Sequence, residues 1–105
     1  MPFVISTFDK ANHKHVRDAL RQRHLEYLEA NVKKVIAGGG FFNDEGTLVI
    51  GGLLIVDVES RVEAEEFIRN DPFSSGDLFE RVEIVRWKCS FLDFKRVLPA
   101  APRVA

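Results

Sequence analysis

Residues 47–63 read TLVIGGLLIVDVESRVE, and the change of period within them decides the fold. Thr47–Val58 is rich in β-branched and aliphatic residues, with Gly51 and Gly52 as the interruption, and this composition predicts a β-strand. In Ser60–Glu63 a serine stands three residues before a glutamate, which is the spacing of a capping box. The stretch therefore predicts a strand that is followed directly by the start of a helix.

The same criteria divide the rest of the chain into further elements. They predict a first strand at Phe3–Phe8 and a long helix at His13–Ala30. A second strand at Val32–Phe42, which bends or bulges at its glycines, leads into a hairpin turn at Asn43–Gly46. A loop at Pro72–Leu78 precedes a fourth strand at Phe79–Phe91. The second helix ends near Asn70 and Asp71, because the residue before a proline disfavours the α-conformation. The order β-α-β-β-α-β predicts a ferredoxin-like α+β fold, in which a four-stranded antiparallel sheet carries two helices on one face.

Length and composition describe one globular domain. The chain has 105 residues, of which 46% are hydrophobic, and this apolar content argues against disorder. We expect residues 1–98 to form the domain and residues 99–105, which contain two prolines, to form a flexible tail. Lysine and arginine number 15 and the acidic residues 16, so the net charge is −1. Nucleic acid is not an expected partner, because phosphate binding needs clustered positive charge.

The predicted sheet has more apolar surface than its own helices cover. Leu53–Val56 is apolar on both strand faces, and Val85 and Trp87 alternate onto the face opposite Ile84. Helices on one side of a sheet bury only that side. The outer face therefore requires a partner, and a homodimer is the simplest one.

Several classes of site and location are not indicated by the sequence. No apolar run reaches about 18 residues, and the N-terminus lacks a basic segment followed by a long apolar one, so we expect neither a membrane span nor a signal peptide. The expected compartment is the cytoplasm, and the single Cys89 has no internal disulfide partner. His13 and His15 face different directions on a helix, and the glycines form no phosphate-binding loop, so no metal or organic cofactor is expected.

His24 is the most informative candidate for chemistry. It lies four residues after Leu20 and four before Leu28, in the middle of the apolar stripe of the first helix. An imidazole there needs a hydrogen-bond partner. One interpretation is a structural histidine that a backbone carbonyl satisfies. The other is a general base that works near neutral pH.

Asp71 and Arg21 are the possible partners of this histidine. Asp71 ends the second helix, and both helices lie on one face of the fold, so its carboxylate could reach His24 and fix the imidazole tautomer. Arg21 lies one turn before His24 and could hold a carboxylate or enolate oxygen. Each also has a plain interpretation: an aspartate that ends a helix, and a solvated charge on a helix surface.

Four patterns occur in order along the chain: Arg21-x-x-His24-Leu25-x-x-Leu28, Ala37-Gly38-Gly39, Glu59-Ser60-x-x-Glu63-Ala64-x-x-Phe67 and Asp71-Pro72-Phe73-x-x-Gly76-x-x-Phe79. Their order and spacing resemble the YciI-like (YCII-related) family, over nearly the whole chain to about Phe94. The resemblance implies a ferredoxin-like fold that assembles as a dimeric α/β barrel. It also implies a His–Asp pair in a cleft, which falls on His24 and Asp71.

The resemblance suggests a class of reaction but no substrate. A relative in the family is a dehydrochlorinase of a chlorinated hydroxyhydroquinone. We therefore expect a cofactor-free acid–base enzyme of the lyase, isomerase or dehydrochlorinase type that acts on a small cyclic or aromatic metabolite. His24 and Asp71 would be the catalytic pair, and Arg21, Gly39 and Phe73 would bind the substrate. The alternatives are a module that binds a small ligand without turnover and a purely structural dimeric domain.

Overall fold

The structure is a computed structural model that describes residues 1–98, and in this range it contains six strands and three α-helices. In chain order they are β1 (Phe3–Asp9), α1 (Lys14–Ala30), β2 (Val35–Phe42), β3 (Val49–Val56), α2 (Arg61–Arg69), α3 (Pro72–Ser75), β4 (Phe79–Arg86), β5 (Phe91–Leu92) and β6 (Lys95–Arg96), with a short 3-10 turn at Val32–Lys34. The first four strands form an antiparallel sheet in the order β2-β3-β1-β4. The predicted ferredoxin-like fold is confirmed.

The core lies between α2 and the middle of the sheet. In β1 every second side chain points to the helices, and Phe3 and Ile5 lie opposite Val56 and Leu54 of β3 in register. These four side chains pack with residues of α2 and of the β3–α2 connection, namely Val58, Ala64, Phe67 and Ile68. Each fully buried side chain of this size contributes roughly 1.5–3 kcal/mol. This half of the molecule is a packed interior.

The start of α2 confirms the predicted capping box. The Ser60 hydroxyl accepts a hydrogen bond from the backbone N–H of Glu63 at 3.2 Å, and Ser60 itself has extended backbone angles. The serine oxygen therefore satisfies one of the free N–H groups of the first helical turn. The cap fixes where α2 begins and hence which of its faces meets the sheet.

Two predictions for the second half of the chain differ from the structure. The expected loop at Pro72–Leu78 begins with a helical turn, α3, because the Asp71 carboxylate caps the N–H of Phe73 and proline suits the first helical position. The fourth strand ends at Arg86 rather than Phe91, because its antiparallel neighbour β1 begins at Phe3, which is the partner of Arg86.

Beyond β4, the chain forms a small hairpin from β5 and β6. Asp93 and Phe94 connect the two strands and both have positive φ, of 52° and 62°. Two successive residues in this region are typical of a tight turn whose twist matches that of the strands. The predicted flexible tail at 99–105 lies outside the described residues.

The glycines of β2 do not themselves carry the predicted bulge. The register between β2 and β3 shifts between Val35 and Ala37 and again between Phe41 and Phe42, whereas Gly38–Gly40 between these points pair regularly. The irregular positions therefore flank the glycines. No helix within residues 1–98 is long and apolar enough to cross a membrane.

Candidate functional site

A cavity of about 360 Å³ lies between α1, α3 and the sheet. Three glycines account for its floor. Gly52 of β3 pairs with Thr7, whose side chain faces the helices, and Gly38 and Gly40 of β2 pair with Leu54 and Gly52 on the same face. Where other strand positions place a side chain beneath a helix, these three place only hydrogen. The cavity is the volume that the missing side chains leave under α1.

A close approach of two strands explains the glycine next to this floor. A Cβ atom at Gly51 would collide with the backbone carbonyl of Thr7 on β1, so no larger residue fits at this crossing. The buried Thr7 hydroxyl donates to the carbonyl of Gly52 at 3.3 Å. Strand β1 is thereby fixed against β3 directly below the cavity.

His24 and Asp71 meet at the wall of this cavity. The Nδ1 atom of His24, on α1, lies 2.9 Å and 2.8 Å from the two carboxylate oxygens of Asp71. Asp71 is fully buried, and its Oδ1 also accepts the N–H of Phe73 at 2.9 Å. The carboxylate thus caps α3 and binds the imidazole at the same time. Its position is fixed by the backbone of α3 and by the proline that follows.

The second nitrogen of His24 is left without a protein partner. A carboxylate oxygen accepts hydrogen bonds, so Nδ1 is the donor to Asp71, and in the neutral imidazole Nε2 bears the lone pair. Within residues 1–98, Nε2 makes no hydrogen bond, and no buried polar side-chain atom there lacks a partner, so Nε2 retains contact with solvent. His24 lines the cavity, and its side chain keeps 17% of its surface accessible. In its neutral form, this cavity-lining imidazole therefore has a basic nitrogen without a protein partner in the described chain.

Phe73 holds the imidazole rather than standing free in the cavity. Its ring lies nearly parallel to that of His24, with 4.1 Å between the ring centroids and 15° between the planes. The phenyl ring is buried and also packs edge-on against Phe79. Stacking on one side and the Asp71 carboxylate on the other leave the imidazole little freedom to rotate.

The two other residues predicted from the sequence to bind substrate line the cavity as well. Arg21 is exposed and, within the described chain, has no hydrogen bond or ion pair that would hold its guanidinium in place. Gly39 contributes backbone; its register partner is Leu53, whose side chain alternates to the outer face of the sheet. A Cβ atom at Gly39 would meet nothing within 4 Å. Their role in binding stays a prediction.

Arg17 and its partner Asp9 are functional candidates that were not predicted from the sequence. Arg17 lines the cavity and makes a two-pronged ion pair with Asp9, with Nε 2.7 Å from Oδ2 and Nη2 3.0 Å from Oδ1. The side chains of Arg17 and Asp9 are only 13% and 10% exposed. The sequence does contain a signal for Arg17: it lies seven residues before His24, which places both side chains on the same face of the helix.

Tyr27 links α1 to α2 on the far side of the pair. Its hydroxyl donates to the carbonyl of Phe67 at 2.7 Å. Burial raises the pKa of the Tyr27 hydroxyl above 10.0, and the negative charge of Asp71 raises it further. The tyrosine therefore stays protonated near neutral pH and keeps its hydrogen bond to the Phe67 carbonyl.

Among residues 1–98 no three His, Cys, Asp or Glu side chains cluster as a metal site would require.

Comparison with known proteins identifies the family. The model of the YCII-related domain matches residues 1–88. The chain belongs to the YCII-related domain family. No curated protein matches this YCII-related chain significantly.

Two solved structures show what the YCII-related chain is similar to. One is TftG, 5-chloro-2-hydroxyhydroquinone dehydrochlorinase from Burkholderia phenoliruptrix AC1100, in complex with 2,5-dihydroxybenzoquinone. It is 33% identical, with a TM-score of 0.77, and the match covers 84% of this chain and 94% of TftG. The other is Atu4242 from Agrobacterium tumefaciens, at 18% identity and a TM-score of 0.52, covering 90% of this chain and 100% of that one. This second likeness concerns the fold alone.

Proposed function

We propose that this YCII-related protein is an acid–base enzyme that uses the His24–Asp71 pair on a small cyclic or aromatic substrate, without a cofactor. One observation carries the proposal: a buried carboxylate holds Nδ1 of His24, a residue that lines the cavity, and within residues 1–98 Nε2 has no protein partner. A purely structural histidine needs a partner but no open nitrogen beside a cavity. The cavity volume of about 360 Å³ suits a single substituted ring.

The proposed chemistry is a proton transfer followed by movement of an electron pair. Nε2 of His24 takes a proton from a ring hydroxyl, or from a carbon next to a carbonyl, and the imidazolium that forms is stabilised by Asp71. The freed electron pair moves into the ring. In an elimination, the substrate reacts in a keto form whose chlorine-bearing carbon is tetrahedral, the freed pair forms a new ring double bond, and chloride departs with its bonding pair. In an isomerisation, the proton returns to a different atom of the substrate. Neither outcome needs an oxidant or reductant.

TftG supports the general class of this reaction. TftG is a dehydrochlorinase of an aromatic compound, and its structure holds a dihydroxylated quinone. At 33% identity over most of both chains, a shared type of chemistry is a reasonable starting point. The substrate of the present chain is a separate question, so the test uses the substrate of TftG as a probe.

The direct test is chloride release from 5-chloro-2-hydroxyhydroquinone by the wild-type chain and by His24→Asn. Asparagine keeps one hydrogen bond to Asp71 and removes the base. We expect turnover to fall by roughly 100-fold or more, while the free energy of unfolding changes by less than about 1 kcal/mol. The matched control is His15→Asn, the same substitution at an exposed position of α1, which should retain full turnover.

Other outcomes would contradict the proposal. If the wild-type chain releases no chloride and shifts no proton in a panel of enolisable cyclic ketones, but binds these compounds, the protein is a non-catalytic binding module. If His24→Asn retains turnover, the histidine is not the base. Asp71→Asn adds a further check, since asparagine also caps a helix and should leave α3 intact while turnover falls.

We also propose that the chain forms a homodimer through the outer face of the sheet. Strand alternation places Val4, Leu53, Ile55 and Val85 on this face, and Val85 is 61% exposed. A contiguous apolar face of this kind is typical of an interface. Light scattering at micromolar concentration should give the mass of a dimer, and Val85→Glu should shift it toward that of a monomer. A monomeric wild-type chain would contradict this proposal.

A further inference from the structure

Arg17 has a different environment from the other arginine that lines the cavity. Its Nε and Nη2 atoms both donate to the Asp9 carboxylate, so the plane of the guanidinium is fixed by two hydrogen bonds. Arg21, one turn further along α1, is exposed and has no such constraint within residues 1–98. A donor that is already held in place loses less conformational freedom on binding a ligand.

The Nη1 atom of Arg17 makes no hydrogen bond to the protein within residues 1–98. In the described chain Nη1 donates to no protein acceptor, and no buried polar side-chain atom there is without a partner, so Nη1 keeps accessible surface. The side chain as a whole is only 13% exposed and lines the cavity. Two N–H bonds are therefore available at a largely desolvated position, where a hydrogen bond to a charged or charge-gaining oxygen is strong.

Phe73 relates Arg17 to the catalytic pair. The guanidinium carbon lies 4.6 Å from the centroid of the Phe73 ring, and the His24 imidazole stacks on the same ring at 4.1 Å. The imidazole centroid and the guanidinium carbon are therefore no farther apart than these two distances added together. Both residues line the same cavity, and a ring compound with oxygens on opposite sides can span a separation of this order.

We propose that Nη1 of Arg17 donates to an oxygen of the bound substrate and stabilises the negative charge that this oxygen gains when His24 removes a proton. The inference rests on the proposed function and names its substrate class: a planar enol, phenol or quinone with an oxygen remote from the proton that is removed. Asp9 is the positioning residue that orients Arg17. The fixed donor is in place before charge develops, which is the condition for effective electrostatic stabilisation.

The experiment measures binding of 2,5-dihydroxybenzoquinone to the full chain by titration calorimetry. Arg17→Lys keeps the positive charge and removes the planar donor, and we expect binding to weaken about tenfold or more. Arg23→Lys, the same substitution on an exposed part of α1 that does not line the cavity, is the matched control and should bind like the wild type. Arg21→Lys should weaken binding less than Arg17→Lys does.

A second variant keeps the test valid if Arg17→Lys does not fold. Asp9→Leu combined with Arg17→Met replaces the whole ion pair by apolar side chains, which proteins often tolerate without loss of stability. If this folded double variant binds the quinone about tenfold or more weakly, the proposal is supported. If it binds like the wild type, or if the loss is larger in Arg21→Lys, Arg17 does not hold the substrate oxygen.

The outcome can be separated from that of the proposed function. Binding is measured again with His24→Asn as the background, where no proton is removed and only the contact with Arg17 is tested. The same loss from Arg17→Lys in this background supports the contact even if turnover shows that His24 is not the base. Absence of any binding to the wild-type chain at millimolar quinone would overturn the proposal for this class of substrate.

Discussion

Helices α1 and α2 cover the same face of the sheet, but α2 is buried more deeply against it than α1. Helix α2 has nine residues and buries three of them, whereas α1 has seventeen and buries none. Under α2 the strands supply side chains such as Ile5 and Val56, and under α1 they supply Gly38, Gly40 and Gly52. The site is therefore encoded as much by absent side chains in β2 and β3 as by the polar residues at its wall.

Truncation of a core side chain under α2 should cause the greatest loss of stability. Phe67→Ala removes a buried ring from α2 and should lower the free energy of unfolding by roughly 3–5 kcal/mol. Leu25→Ala, on α1, removes a side chain that is 40% exposed and should cost less than about 1 kcal/mol. Urea denaturation of both variants measures the contrast, and equal losses would show that α1 is packed as tightly as α2.

A side chain added to the floor of the cavity under α1 tests whether this cavity holds the ligand. Gly40→Leu places a side chain on the cavity floor, where a Cβ atom first meets the Phe42 ring at 3.3 Å. We expect binding of 2,5-dihydroxybenzoquinone to weaken about tenfold while the chain stays folded. Ala19→Leu adds bulk at an exposed position of α1 that does not line the cavity and serves as the control. Unchanged affinity in Gly40→Leu would place the ligand elsewhere.

The sequence predicted the packed half well, because its information is local. Alternation in β1, the capping box at Ser60 and the proline at 72 each depend on a few neighbouring residues, and together they fix the order of the elements. The pairing of His24 with Asp71 could be anticipated for a further reason: the topology brings both helices to one face.

The remainder depends on tertiary contacts that no local pattern reports. Asp71 begins α3 because its carboxylate caps Phe73, so the residue serves a short helix as well as His24. The pairing of Arg17 with Asp9 joins α1 to the end of β1, and Arg17 reads as an ordinary surface charge until that contact is known. The shallow burial of α1 follows from glycines on strands that are distant in sequence.

The N-termini of α1 and α2 also differ, and this difference should have a smaller effect on stability. Helix α2 is capped by Ser60, whereas α1 begins after His13, whose side chain makes no capping hydrogen bond. Ser60→Ala should lower the free energy of unfolding by about 1 kcal/mol, and His13→Ala should change it by less than about half of that. Thermal unfolding followed by circular dichroism measures both. A larger loss in His13→Ala would contradict the assignment of the caps.

The smallest effect concerns the hydrogen bond that joins the two halves. The pKa of Tyr27 is raised above 10.0 by burial and by Asp71, so its contribution to stability is complete below pH 10.0 and is lost as the pH rises through the folded-state pKa. The wild-type chain should therefore lose stability relative to Tyr27→Phe as the pH rises above 10.0. A stability difference that does not vary with alkaline pH would contradict this.

The most direct test of the central claim is the protonation of the His24 ring, observed by long-range proton–nitrogen NMR with and without 2,5-dihydroxybenzoquinone. The account predicts that Nδ1 carries the proton in the free protein, since it donates to Asp71, and that the Nε2 resonance moves when the quinone binds. His13 and His15 provide internal references. An imidazole protonated at Nε2 alone, with a resonance that ignores the ligand, would contradict the account.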